Sequence, residues 1–90
     1  MSLQRDKSIN IATGYRYQWE PAQNSHVLLY PEGMINLNES AATILGKVDD
    51  QRSADDIISS LKIDFPDADL ENDVIEFLEI AIERGWINVG

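Results

Sequence analysis

The sequence predicts an α+β domain in which a three-stranded antiparallel sheet is followed by three helices. Three observations carry that prediction. The stretch GYRYQWEP alternates aromatic and polar residues with period two, and the runs HVLLY and MINLN flank the turn residues Pro31-Glu32-Gly33. From Asn38 onward the chain falls into three segments of helical period separated by breakers.

Residues 1–12 are polar and unpatterned, so a flexible N-terminal tail is expected there, with residues 13–90 forming one domain. The first strand places Tyr15, Tyr17 and Trp19 on one face, Arg16, Gln18 and Glu20 on the other, and ends at Pro21. The short AQNS connection leads to the hairpin. Pro31 suits the first central position of a type I turn, and Gly33 suits the left-handed residue that closes a three-residue loop. That loop sets Tyr30 opposite Met34, Leu29 opposite Ile35 and Val27 opposite Leu37. One face, Val27, Leu29, Ile35 and Leu37, is then apolar throughout and expected in the core. The other, with His26, Leu28, Tyr30, Met34, Asn36 and Asn38, is too apolar for a plainly solvated surface.

Asn38 is placed to cap a first helix whose apolar residues are Ala41, Ala42, Ile44, Leu45 and Val48. Ser53 and Asp56 resemble a capping box that opens a second helix with Ile57, Ile58 and Leu61 inside. The run DFPDAD ends that helix, and Asp69 is expected to cap a third that runs to Arg84. Gly85 followed by Trp86 reads as a left-handed C-terminal cap with its apolar contact, and WINV as a short extended end. Apolar residues of the third helix spread over roughly 220° of its wheel, against the ~100° that suffices to meet a core. A flank is left over, and either the small core absorbs it or it lines a groove.

Composition removes several classes of function. Ninety residues with 43% hydrophobic and 26% charged content support one small folded core. The absence of cysteine excludes disulfides, thiolate nucleophiles and cysteine-ligated metals. No apolar run approaches the roughly 20 residues that span a bilayer. The start MSLQRDKSIN lacks the apolar centre of a signal peptide, so a cytoplasmic location is expected.

Three helices beside a small sheet are winged-helix-like and invite a DNA-binding reading. The net charge of −9, with Asp73, Glu76, Glu79 and Glu83 on the third helix, argues against any nucleic-acid partner. Residues 67–78 space acids like a calcium loop. Asn72 stands where glycine is needed and Leu78 where the bidentate glutamate belongs, so no metal site is expected. His26 is the only histidine and no glycine-rich phosphate loop exists, so neither catalytic residues nor a cofactor is expected. Binding is left. The third strand is an edge, and its MINLN run carries neither lysine nor proline to discourage another strand from pairing with it.

The same residues resemble a known family. The stretch GYRYQWEPAQNSHVLLYPEGMINLNESAATIL, then RSADDIISSL, then FPDADLENDVIEFLEIAIERGWI, is similar to the D protein of pyrroloquinoline quinone (PQQ) biosynthesis over about residues 14–88. In one place the chain departs from the family. Where Asp-Gly commonly precedes the second helix it has Asp49-Asp50-Gln51, so the resemblance does not fix that turn. The family is similar to precursor-peptide recognition elements, non-catalytic domains of three strands and three helices. The resemblance implies that the ribosomal precursor peptide adds as a strand beside the third strand and packs on the third helix. It also implies delivery to a radical S-adenosylmethionine enzyme that joins a glutamate to a tyrosine of the peptide.

Carried onto this chain, the implied edge contacts are Gly33, Met34, Ile35, Asn36, Leu37 and Asn38. The implied helix contacts are Ile75, Phe77, Leu78, Ala81 and Ile82. Whether Tyr30 and Met34 serve the helices, the groove or the enzyme stays open here. The rival expectation is a self-associating structural module, a homodimer formed through the same edge.

Overall fold

A computed structural model describes residues 3–90 of the chain. In chain order the elements are β1 (Ile9–Ile11), β2 (Arg16–Glu20), β3 (Ser25–Tyr30), β4 (Gly33–Asn36), α1 (Glu39–Leu45), α2 (Ala54–Asp64), α3 (Glu71–Glu83) and β5 (Ile87–Val89). The expected three-stranded antiparallel meander is present, in the order β2-β3-β4, and the three expected helices follow it.

Outside the expectation is a second, two-stranded sheet. β1 pairs antiparallel with β5, Ile9 opposite Val89 and Ile11 opposite Ile87. Its other side is held by the loop before α2, where Ile9 N donates to Arg52 O at 2.9 Å and Asp50 N to Ile9 O at 3.2 Å. Ile9 is completely buried. Much of the segment expected to be a loose tail is therefore structural, although residues 1 and 2 of it lie outside the described residues. Three residues are too few to show a period, and their partner lies more than seventy positions away. Burying one isoleucine is worth about 1.5–3 kcal/mol, enough to hold so short a strand once its backbone groups are paired.

The hairpin register differs by one residue from expectation. Gly33 pairs with Tyr30, Met34 with Leu29, Ile35 with Leu28 and Asn36 with Val27. Pro31 and Glu32 alone form the loop, because Gly33, at φ +155, enters the ladder itself. A one-residue slip exchanges the partners of every side chain. The sheet face turned to the helices consequently carries Leu28, Ile35 and Leu37 with Tyr15 and Tyr17, all in or against the main core cluster. Val27 and Leu29 belong to the opposite face. Val27 is buried but lies outside that cluster, and Leu29 is half-buried beside exposed Met34.

The helix ends follow mostly as read. Asn38 Oδ1 accepts from Ala41 N at 2.8 Å, and the Ser53–Asp56 capping box has both of its hydrogen bonds. Gly85 takes φ +80 while its N–H donates to Ile82 O and that of Trp86 to Ala81 O, the paired bonds of a Schellman cap. Two details differ. Val48 lies beyond α1, which closes at Gly46. Asp69 does not cap α3; Leu70 occupies that position without a side-chain hydrogen bond, its own side chain packed against the core. Burial of an apolar side chain has outweighed a cap at that junction. Ile44, Leu45, Ile57, Ile58, Leu61, Val74, Leu78 and Ile87 fill the centre between helices and sheet.

The turn at Asp49-Asp50-Gln51 is now defined. Asp50 is left-handed at φ +68, where glycine meets no steric penalty. Asp49 Oδ1 accepts from Gln51 N at 3.1 Å and Arg52 N at 2.9 Å. Asp50→Gly is expected to stabilise the fold by about 0.5–1 kcal/mol, read as a melting temperature higher by several degrees. The backbone hydrogen bonds from Arg52, then Gln51, hold the Asp49 carboxyl below its ordinary value of 3.8. A depressed folded value stabilises fully above the ordinary value, and that contribution is lost as the pH falls through the folded one. Asp49→Asn should therefore lower stability at neutral pH, with the gap to the parent closing below pH 3.8 in urea unfolding series.

Candidate functional site

β4 is an edge of its sheet, with β3 on one side and, among the described residues, no strand on the other. In an antiparallel ladder, alternate residues direct their N–H and C=O groups to the neighbour. Leu37 N donates to His26 O at 3.2 Å, which by alternation assigns Gly33, Ile35 and Leu37 to β3. The backbone groups of Met34 and Asn36 point outward. Among the described residues neither makes a backbone hydrogen bond to another element. A short row of donors and acceptors is thus open to an added strand.

The expected edge residues take separate tasks. Gly33, Met34, Asn36 and Asn38 are exposed, Ile35 is half-buried and Leu37 is buried. Asn38 already spends its side chain on the α1 cap. Met34, 44% exposed, shares the outer face of the sheet with Leu29. That position resolves part of the question about Met34, which does not cover the helices. Tyr30 does turn to their side, stacked on Tyr15 with ring centroids 5.6 Å apart. Leu29 was not among the candidates because the expected register had placed it in the core.

α3 divides its apolar residues by depth. Val74, Leu78 and Ala81 are buried in the core, so Leu78 and Ala81, both expected at a groove, have no surface to offer. Two flanks are left. On one, Phe77 lies against Trp86 at 6.5 Å between centroids, and the Arg84 guanidinium sits 5.6 Å over the same indole. On the other, Ile75 and Ile82 are half-buried and lie against the core cluster, as Ile35 of β4 does. The outer side of the helix carries Asp73, Glu76, Glu79 and Glu83, all exposed, together with Ile80 at 39% exposure. These carboxylates favour a cationic or weakly charged partner and repel phosphate. Of the acids of residues 67–78, Glu71 pairs with Arg5 and Lys62, each at 3.4 Å. Among the described residues no group of three or more histidine or carboxylate side chains could hold a metal ion.

Two clefts lie away from the open edge. One, of about 300 Å³, is lined by Ile44, Leu61, Phe65, Leu70 and Val74 between the three helices. The other, of about 600 Å³, separates the Tyr17, Trp19 and His26 end of the sheet from α1. No helix in the described residues is long and apolar enough to cross a membrane.

Comparison with known proteins agrees with this architecture. The model of the family Coenzyme PQQ synthesis protein D (PqqD) matches residues 25–87. A protein of Azotobacter vinelandii named PqqA binding protein is 61% identical over 77 residues, 84% of each chain. One of Pseudomonas fluorescens with the same name is 51% identical over 90 residues, 99% of each chain. Among solved structures, the solution NMR structure of the PqqD truncation of Methylobacterium extorquens PqqCD superposes with a TM-score of 0.75. It covers 97% of this chain and 95% of its own at 24% identity, and is described as a stand-alone recognition element for ribosomally synthesised, post-translationally modified peptides. At that identity the likeness establishes the shared fold.

Proposed function

The chain belongs to the PqqD family, and on that footing we propose that it is a peptide adaptor of PQQ biosynthesis. It binds the ribosomal precursor peptide as a strand added to β4 and presents it to a radical S-adenosylmethionine enzyme, which forms the glutamate–tyrosine cross-link. The adaptor performs no chemistry itself. It contributes by holding the peptide extended and near the enzyme, which raises the effective concentration of the reacting side chains and limits their freedom.

The observation that carries this reading is the edge of β4, where the outward groups of Met34 and Asn36 have no partner strand among the described residues and neither lysine nor proline blocks their pairing. Backbone hydrogen bonds supply affinity in such strand addition, while pockets for alternate side chains supply selectivity. Met34 and Leu29 offer an apolar surface on the outer face of the sheet. Ile75 and Ile82 offer one along α3, with acidic residues beside them. Of the eleven expected contact positions, those whose side chains can still reach a peptide are Met34, Ile35, Asn36, Ile75, Phe77 and Ile82.

The first test is an amide NMR titration with the precursor peptide. Saturable shifts gathered on residues 33–38 and 75–82 support the reading. Saturation without shifts there sinks it and leaves self-association through the same edge, to be read from light scattering at several concentrations. Asn36→Pro deletes an outward N–H without touching the ladder to β3, so the fold is retained while peptide affinity falls about fivefold to tenfold. On α3, Ile82→Asp should weaken peptide binding in a folded protein, whereas Leu78→Asp buries a charge and abolishes the thermal transition. Circular dichroism separates the two.

A further inference from the structure

The aromatic strand β2 and the single histidine take no part in the β4 edge, yet they converge on the larger cleft. His26 stacks on Tyr17 with centroids 4.9 Å apart and planes 6° from parallel, and Trp19 meets His26 edge-on at 5.1 Å. Facing this aromatic wall, α1 presents small residues, Ala42, Thr43 and Gly46. The Tyr17 hydroxyl crosses the gap and donates to Ala42 O at 2.8 Å, and burial pushes its pKa up, which keeps it a neutral donor. A Cβ on Gly46 would lie 3.1 Å from that hydroxyl and 3.1 Å from Ala42 O, so glycine there permits the crossing. The cleft between this wall and α1 has a volume of about 600 Å³ and is open to solvent.

Charge adds a second, independent observation. Lys47 and Arg52, two of seven basic residues in a chain of net charge −9, both line this cleft. Lys47 Nζ is 2.7 Å from Asp64, and Arg52 donates Nη1 to Lys47 O at 3.3 Å with Nε 3.7 Å from Asp49. An ammonium has three donors and a guanidinium five, so both keep donors beyond these contacts. The carboxylate that lines the cleft with them is Glu39, at the start of α1. Trp19, 48% exposed, is the largest side chain of the aromatic wall and the least covered by the protein.

We infer that this cleft binds an aromatic ring bearing a carboxylate, the ring against Trp19 and His26 and the carboxylate on Lys47 and Arg52. Ring stacking and a charge-assisted hydrogen bond are the two interactions these side chains supply, and each is stronger in a partly desolvated cleft. The ligand chemistry is shared by a free aromatic acid and by the C-terminal aromatic residue of a peptide. Glu39 selects for one carboxylate over several. The site is separate from the β4 edge and stands whether or not a peptide binds there.

The test is a titration of the full chain with indole-3-propionate, followed by amide and indole NMR signals. Its amide counterpart, indole-3-propionamide, and the tripeptide Gly-Gly-Tyr with a free or amidated C-terminus are run alongside. Saturable shifts are expected at residues 17–19, 26, 42–47 and 52 and at the Trp19 indole, with each amide binding about tenfold more weakly than its acid. Binding by the free tripeptide and not by indole-3-propionate would assign the site to a peptide C-terminus. Trp19→Ala and Lys47→Met, both at solvent-accessible positions, should each weaken the acid about tenfold with the melting transition and the β4 signals retained. Equal binding of acid and amide, shifts confined to β4 and α3, or no saturable shift at millimolar ligand would overturn the proposal.

Discussion

The pairing of Ile35 with Leu28 is the contact on which the rest of this molecule depends. It gives the core two adjacent apolar side chains from neighbouring strands and fixes every other partner in the hairpin. It also sets the backbone. With Ile35 bonded to β3, Met34 and Asn36 are the residues whose donors and acceptors face away. A slip of one residue would turn those groups to β3 and move Ile35 to the outer face of the sheet, away from the core it packs against. Core and open edge are two consequences of one register.

The helices are tied to one another by a second device, the ribbon of β1 and β5. Gly85 turns the chain after α3 with a Schellman cap, and the residues that follow run back as β5 to meet β1. From Arg5 onward the N-terminal segment is tied down, through Arg5 to Asp55 at 2.8 Å, Ser8 O to Gly90 N at 2.9 Å and Ile9 to the loop before α2. Chain ends, α2 and α3 thereby form one packed unit, which sets how the apolar flanks of α3 are presented. On one flank Phe77, half-buried, packs against Trp86. The other, with Ile75 and Ile82, stays half-covered.

Charge divides the surface by partner. The exposed carboxylates of α3 accompany its apolar flank and oppose anionic ligands there, whereas Lys47 and Arg52 gather at the aromatic cleft beside α1. The exposed ion pairs, such as Lys62 with Glu71, each contribute little to stability.

Local chemistry determined much of this from the sequence alone. Asn38 and the Ser53–Asp56 pair announce helix starts because their side chains satisfy N–H groups that no other residue can reach, and Gly85 announces an end because it alone takes φ +80 without strain. The alternation from Tyr15 to Trp19 shows a strand, and the undefended MINLN run shows an edge. What the tertiary structure decided is each case in which two distant or competing choices had to be compared. Whether Gly33 sits in the loop or in the ladder depends on which face Leu28 can bury, a question settled by the helices and not by the turn. Ile9 becomes core only when Ile87, Asp50 and Arg52 come to meet it. Leu78 and Ala81 sit at the centre of a broad apolar arc, and the wheel that displays that arc carries no mark of which part the core will take. Burial is a property of neighbours far away in the chain, and short-range pattern holds no record of them.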